Sequence, residues 1–116
     1  MKVSLKPVVL AVASTLMFVG VAQAQTVKLA MIEGMSGPMG GVGQNQLKHY
    51  QYAAERFSGK QANSGVTVEI VPMDSKGSPQ EALALLKKAA DDGIRFITQG
   101  NGSNVAGVLI DAVNKH

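Results

Sequence analysis

The sequence predicts an α/β protein, a parallel sheet with helices on both faces in three layers. Three observations carry this. Short apolar runs rich in β-branched residues alternate with segments of helical periodicity, in the order β-α-β-α-β-α from residue 26 onward. Two glycine-rich stretches, at 33–43 and 100–104, each follow a strand and precede a helix. The chain is 46% hydrophobic but only 4% aromatic, with no cysteine, which suits packed α/β layers better than a small disulfide-stapled scaffold.

Ahead of this pattern stands a leader. Met1–Pro7 carries Lys2 and Lys6, the 14 residues Val8–Val21 are almost wholly apolar, and Ala22-Gln23-Ala24 supplies a small-x-small triplet. A positive start, a short apolar stretch and such a triplet make a secretory signal peptide over 1–24, cleaved before Gln25. A permanent span needs about 20 apolar residues, so the competing reading, an uncleaved anchor, is disfavoured. The remaining 92 residues suffice for one small domain. Without the two leader lysines, eleven basic side chains become nine against eight acidic ones, and no basic run is interleaved with aromatics. Nucleic-acid binding is therefore not expected. The missing cysteine also excludes a thiolate nucleophile, a thiolate metal site and a lipid-modified cysteine at the cleavage point. The mature chain is expected in the periplasm without a stable membrane anchor.

The first strand is read at Thr26–Ile32, apolar enough to be buried on both faces. Glu33–Gly43 reads as loop, with six glycines or prolines in eleven residues. Leu47, Tyr50, Ala54 and Phe57 then recur as one stripe of a helix that should end near Ser58-Gly59. Asn63-Ser64-Gly65 is turn chemistry before a second strand, Val66–Met73, whose Pro72 belongs at an end or edge. Ser78-Pro79-Gln80-Glu81 is a capping box with proline in the first turn. The helix it opens runs through Ala82, Leu83, Leu86, Ala89 and Ala90, with Lys87 and Lys88 near its end and Gly93 as its stop. Ile94–Gln99 is a third strand, and Val105, Val108, Leu109, Ala112 and Val113 mark a third helix. The crossover rule places the first strand between the other two. Three strands with open edges are a poor stopping point for such a sheet, so the chain reads as the first part of a longer protein.

In open α/β sheets ligands bind beyond the carboxyl ends of the strands, where both glycine-rich stretches lie. The dinucleotide fingerprint is absent, since Gln46 stands where the third glycine of Gly41-Val42-Gly43 would fall, and so is the P-loop. Asp74 ends the second strand where a ribose-binding acid could sit, but it reads better as a turn residue. His49 is read as a helix-surface side chain, and no nucleophile, acid pair or cofactor site is evident. The stretch Asn101-Gly102-Ser103-Asn104 is different. A helix start offers free backbone N–H groups and partial positive charge to a carboxylate, with the Ser103 hydroxyl and Asn104 amide beside them. The competing reading is that Ser103 merely caps its own helix.

Four features together resemble the amino-terminal part of the type I periplasmic substrate-binding proteins of branched-chain amino acid ABC transporters. They are the signal peptide; the first strand followed by Ser36-Gly37-Pro38 and Gly43; the run Asp74-Ser75-Lys76-Gly77-Ser78-Pro79-Gln80-Glu81-Ala82; and Asp92-Gly93-Ile94 leading to Gly100. The resemblance covers essentially all of Gln25–His116. It implies a Rossmann-like partial lobe of a two-lobed, non-enzymatic receptor that closes on a small ligand and delivers it to a membrane permease. It implies that the loop opening the third helix binds the ligand's α-carboxylate, which falls here on Ser103 and Asn104, with Asn101 and Gly102 beside them. Members of the family often pair two small hydroxyl residues in this loop, whereas the second here is Asn104. An aromatic residue that packs on the ligand in leucine-type members corresponds to Val42. The ligand is thus left open among a branched-chain amino acid, another amino acid, an amide or a small carboxylate. The acid that meets the ligand's ammonium group belongs to the other lobe.

Two further functions compete with solute capture. The fold also serves as the ligand-sensing domain of signalling receptors, which a downstream membrane helix and signalling domain would identify. An exported α/β enzyme would need its nucleophile or metal site beyond His116.

Overall fold

A computed structural model describes residues 25–58 and 65–115. The leader at 1–24, Gly59, the Asn63-Ser64 part of the turn and His116 lie outside the described residues. The elements follow in the predicted order. Strand β1 is Gln25–Glu33, a 3-10 turn spans Gly37–Met39, and helix α1 is Gly40–Phe57. Strand β2 is Val66–Asp74, helix α2 Pro79–Asp91, strand β3 Phe96–Thr98 and helix α3 Ser103–Val113.

The sheet is parallel in the order β2-β1-β3, with β1 central as the crossover rule predicts. Alternation along β1 serves both layers. Ala30 and Ile32 face a core shared with Met73, Ala82, Ala89, Ile94, Val105 and Leu109 from β2, α2, the turn after α2, and α3. Met31, on the opposite face, is equally closed to solvent. Thr98, beside Met31 in the register, reaches α1 through its hydroxyl, 2.9 Å from the Tyr50 hydroxyl. Alanine at 82 and 89 has no side chain beyond Cβ, so α2 lies close against the sheet.

Pro72 sits in an edge strand, as expected, and its parity explains why it is tolerated. In a parallel strand successive residues direct their N–H groups to opposite sides. The Val68 N–H points away from β1 and donates to Ser58 Oγ at 2.8 Å. Four residues on, Pro72 lacks its N–H on that same outer side, so no ladder bond is lost.

The stop of α2 is a Schellman turn. Gly93, at φ 76°, donates to the Ala90 carbonyl at 3.0 Å, and Ile94 donates to that of Ala89 at 2.9 Å. Ile94 then packs in the core with Ala89. Its start follows the predicted cap in one half only. Ser78 Oγ accepts from Glu81 N–H, while the Ser78 N–H donates to the Ser75 carbonyl at 2.9 Å. Lys87 and Lys88 pair with Asp91 and Asp92 at 2.7 Å, exposed one-turn contacts of small energetic consequence.

Three expectations need correction. The glycine-rich stretch is not loop throughout: α1 begins at Gly40 and contains Gly41, Val42 and Gly43. The cause is a close approach, since a Cβ on Gly43 would lie 2.1 Å from the Gly34 carbonyl oxygen and one on Gly40 3.2 Å from that of Met35. The third strand is three residues rather than six, because Ile94 is held in the helix stop and Gly100 turns to Glu33. Parts of the helix stripes also miss the core. Phe57, in the last turn of α1, is 65% exposed, and Leu83 and Ala90 of α2 are exposed while Leu85 and Leu86 pack inward.

Candidate functional site

The carboxyl ends of the three strands are tied into one edge. The Ser75 N–H donates to the Glu33 carbonyl at 2.8 Å, and Asp74 Oδ1 accepts from the N–H groups of Met35 and Lys76, each at 2.9 Å. Lys76 and Gly77 both adopt positive φ, 54° and 75°, so the chain turns sharply after β2. Asp74 is thus the turn residue it was expected to be. Burial opposes its ionisation, but hydrogen bonds from the Ser36 side chain and from the N–H groups of Lys76, Met35 and Ser36 outweigh it. They hold the carboxyl below its ordinary value of 3.8. As pH falls, the unfolded chain takes up this proton first. The stabilisation is therefore complete above the ordinary value and is lost as pH drops through the folded one. Asp74→Asn should lower the thermal midpoint by about 5 °C at neutral pH and flatten its decline between about pH 5 and 3. Thermal unfolding over that range is the measurement; an unchanged pH slope would refute the role.

The second tie is Glu33, the last residue of β1, whose side chain is buried at 1% exposure. Its Oε2 accepts from the Gly100 N–H at 2.6 Å, and both carboxylate oxygens lie 3.1 Å from the Asn101 N. Gln99 Nε2 approaches Oε1 at 3.4 Å and also donates to the carbonyls of Asn101 and Gly102. On the other side of the loop, Asn101 Nδ2 donates to Gln46 Oε1 of α1 at 3.1 Å. A buried carboxylate surrounded by N–H donors is a satisfied one, and it fixes the path of the loop from β3 to α3.

That path sets the start of α3. Its N-cap is Gly102, at φ 87°, a conformation that favours glycine, and no side chain caps the helix. The Gly102 carbonyl accepts from Val105 and Ala106. Ser103 is therefore the first helical residue and not the cap, so its hydroxyl is not engaged by its own helix start. Ser103 and Asn104 are exposed, and their N–H groups belong to the first turn, where helix geometry provides no carbonyl partner.

Gly102, Ser103 and Asn104 thus stand together on the open side of the edge. Asn101 does not point with them: its N–H is held by Glu33 and its amide by Gln46. Val42 lies in the first turn of α1, 46% exposed, one turn before Gln46 on the same helix face. The beginnings of α1 and α3 therefore form one wall. The sequence reading passed over Glu33; the available signal was an acid at the carboxyl end of a buried strand, directly before a glycine. Among the described residues no group of three or more His, Asp and Glu side chains could hold a metal ion.

A parallel α/β sheet whose helix starts converge on one open edge has the layout in which ligands bind beyond the strand ends, and comparison with known proteins gives its kind. The sequence profile of the family described as periplasmic binding protein matches residues 26–116. A Leu/Ile/Val-binding protein homolog 4 of Brucella abortus is 30% identical over 95 residues, covering 82% of this chain and 23% of its own length. The Leu/Ile/Val-binding protein of Escherichia coli K12 is 29% identical over 82 residues, covering 71% and 22%. Among solved structures, the closed leucine-, isoleucine-, valine-, threonine- and alanine-binding protein of Brucella ovis superposes with a TM-score of 0.69 at 31% identity. That match covers 79% of this chain and 24% of that one. A possible leucine/isoleucine/valine-binding protein of Rhodopirellula baltica, at 18% identity and TM-score 0.70, shares the fold. The chain belongs to the periplasmic binding protein family, in its leucine-binding-protein-like type I branch. It spans about a quarter of the length of the relatives it matches. The family is one of periplasmic substrate-binding proteins rather than enzymes. Among the described residues no helix is long and apolar enough to cross a membrane.

Proposed function

We propose that this chain is the amino-terminal part of a periplasmic solute receptor that hands a branched-chain or related amino acid, or a small carboxylate or amide, to the permease of an ABC importer. The observation that carries the reading is the start of α3. Gly102 permits close backbone approach, two N–H groups lack helical partners, and the Ser103 hydroxyl is free of capping duty. A carboxylate placed there would meet three donors and the positive end of the helix dipole. Val42, on the first turn of α1, would lie against the ligand's apolar part. It is smaller than an aromatic side chain, which leaves room for a different side chain or a larger one.

Affinity would come from closure of a second lobe, since contacts made in an open wet groove are screened by water and salt. Calorimetric titration of the intact protein with leucine, valine, alanine and small carboxylates tests the reading; saturable binding to at least one is expected. Failure of every amino acid and carboxylate to bind would reject it. Residues 1–24 would be removed on export, with cleavage between Ala24 and Gln25. Mass spectrometry of periplasmic protein should find Gln25 at the amino terminus. A retained Met1–Val21 in a membrane fraction would reject the free periplasmic assignment.

A further inference from the structure

We infer that Glu33 is the positioning residue of the ligand loop: its buried carboxylate takes the N–H groups of Gly100 and Asn101 and so fixes the loop that presents Gly102–Asn104. The inference rests on the proposed carboxylate site, but it concerns a residue that would not touch the ligand.

Four backbone N–H groups, from 100, 101, 103 and 104, lie at this edge as possible donors to an anion. Left to themselves, the first two would compete for the same ligand or for water, and the loop would have several ways to satisfy them. Glu33 removes that freedom, with contacts of 2.6 Å to Gly100 and 3.1 Å to Asn101. Gln99 reinforces it by spanning from the carboxylate to the Asn101 and Gly102 carbonyls. The latter carbonyl is the one that starts α3. Gln46 holds the Asn101 side chain from the other wall. The two side chains close over the loop backbone, since a Cβ on Gly100 would lie 2.7 Å from Gln46 Nε2 and 3.3 Å from Glu33 Oε2. With the loop preset, little ordering cost remains when a ligand meets the outer donors. The carboxylate has an internal role, and the positive helix end is left to the ligand.

The test uses the intact protein, with leucine and leucinamide as probes and amide hydrogen exchange as a second readout. Glu33→Gln replaces one acceptor oxygen by an N–H₂ facing the loop. It should abolish exchange protection at Gly100 and Asn101 and weaken leucine binding about tenfold or more. Leucinamide binding should change less, because the displaced donors serve a carboxylate; equal loss for both probes would mean a merely structural role and overturn the inference. Retained leucine affinity despite lost protection would overturn it too, as would tighter leucine binding, which would mean that the Glu33 charge repels the ligand. If Glu33→Gln fails to fold, Gln99→Ala tests the same clamp from a half-buried side chain. It should weaken leucine several-fold with the core amides of α3 still protected, and unchanged affinity would overturn the inference. Ser103→Ala separates the two ideas. Should it leave binding intact while Glu33→Gln weakens it, the proposed Ser103 contact fails and the positioning role stands.

Discussion

Gly43→Ala should destabilise the fold by about 3 kcal/mol or more, the larger end of overpacking effects. The added Cβ would lie 2.1 Å from the Gly34 carbonyl oxygen, 2.8 Å from its carbon and 3.1 Å from Met35 Cα. All three are backbone atoms, so no side chain can swing aside. Either α1 moves away from the end of β1, or the edge formed by Glu33, Gly34 and Met35 comes apart. Gly41 is the control. It lies in the same helical turn with no atom within 4 Å of its would-be Cβ, so Gly41→Ala should be neutral or stabilise by about 0.5 kcal/mol. Denaturant unfolding of the pair decides the matter; equal stabilities would refute the close approach.

Ser103→Ala should weaken amino acid binding about tenfold or more in the intact protein, the effect of losing a hydrogen bond to a charged group. Its thermal midpoint should stay within about a degree of the parent, because Ser103 follows the N-cap and does not act as one. The combination is diagnostic. A cap residue would lose stability and keep affinity; a ligand contact does the reverse. Calorimetry and thermal unfolding of the same preparation give both quantities, and unchanged affinity would remove Ser103 from the site.

The elements and their order were legible because their signals are local. Ser78 with Pro79 and Glu81, or Gly93 after Ala89 and Ala90, announce a helix start and stop within a few residues. Ala30 and Ile32 flanking Met31 mark a strand covered on both sides. What stayed hidden depends on partners distant in sequence. Gly40 and Gly43 look like loop residues by propensity, yet they lie in a helix and are glycine because Gly34 and Met35 leave no room for a Cβ, a contact that the local pattern does not reveal. Glu33 reads as the first residue of a loop, but its donors lie 67 and 68 residues further on. Phe57 fits the helical stripe, yet it lies in the last turn of α1 and is exposed. In the loop from β3 to α3, spacing brought Gly102, Ser103 and Asn104 into view together but could not say that Asn101 is held by Glu33 and Gln46.

The outward parity of Pro72 and the Ser58 bond to Val68 make the sheet a one-way template. On the β2 side a strand arriving alongside would find one N–H already taken and another missing. Beside β3 the described residues place neither obstacle, since β3 contains no proline and no side-chain bond to its N–H groups, and the exposed Phe96 ring offers an apolar foothold. A strand added to this sheet would therefore be steered to β3. A second copy of the chain and any further strand of its own fold would compete for that one margin, so whichever were seated first would shut out the other.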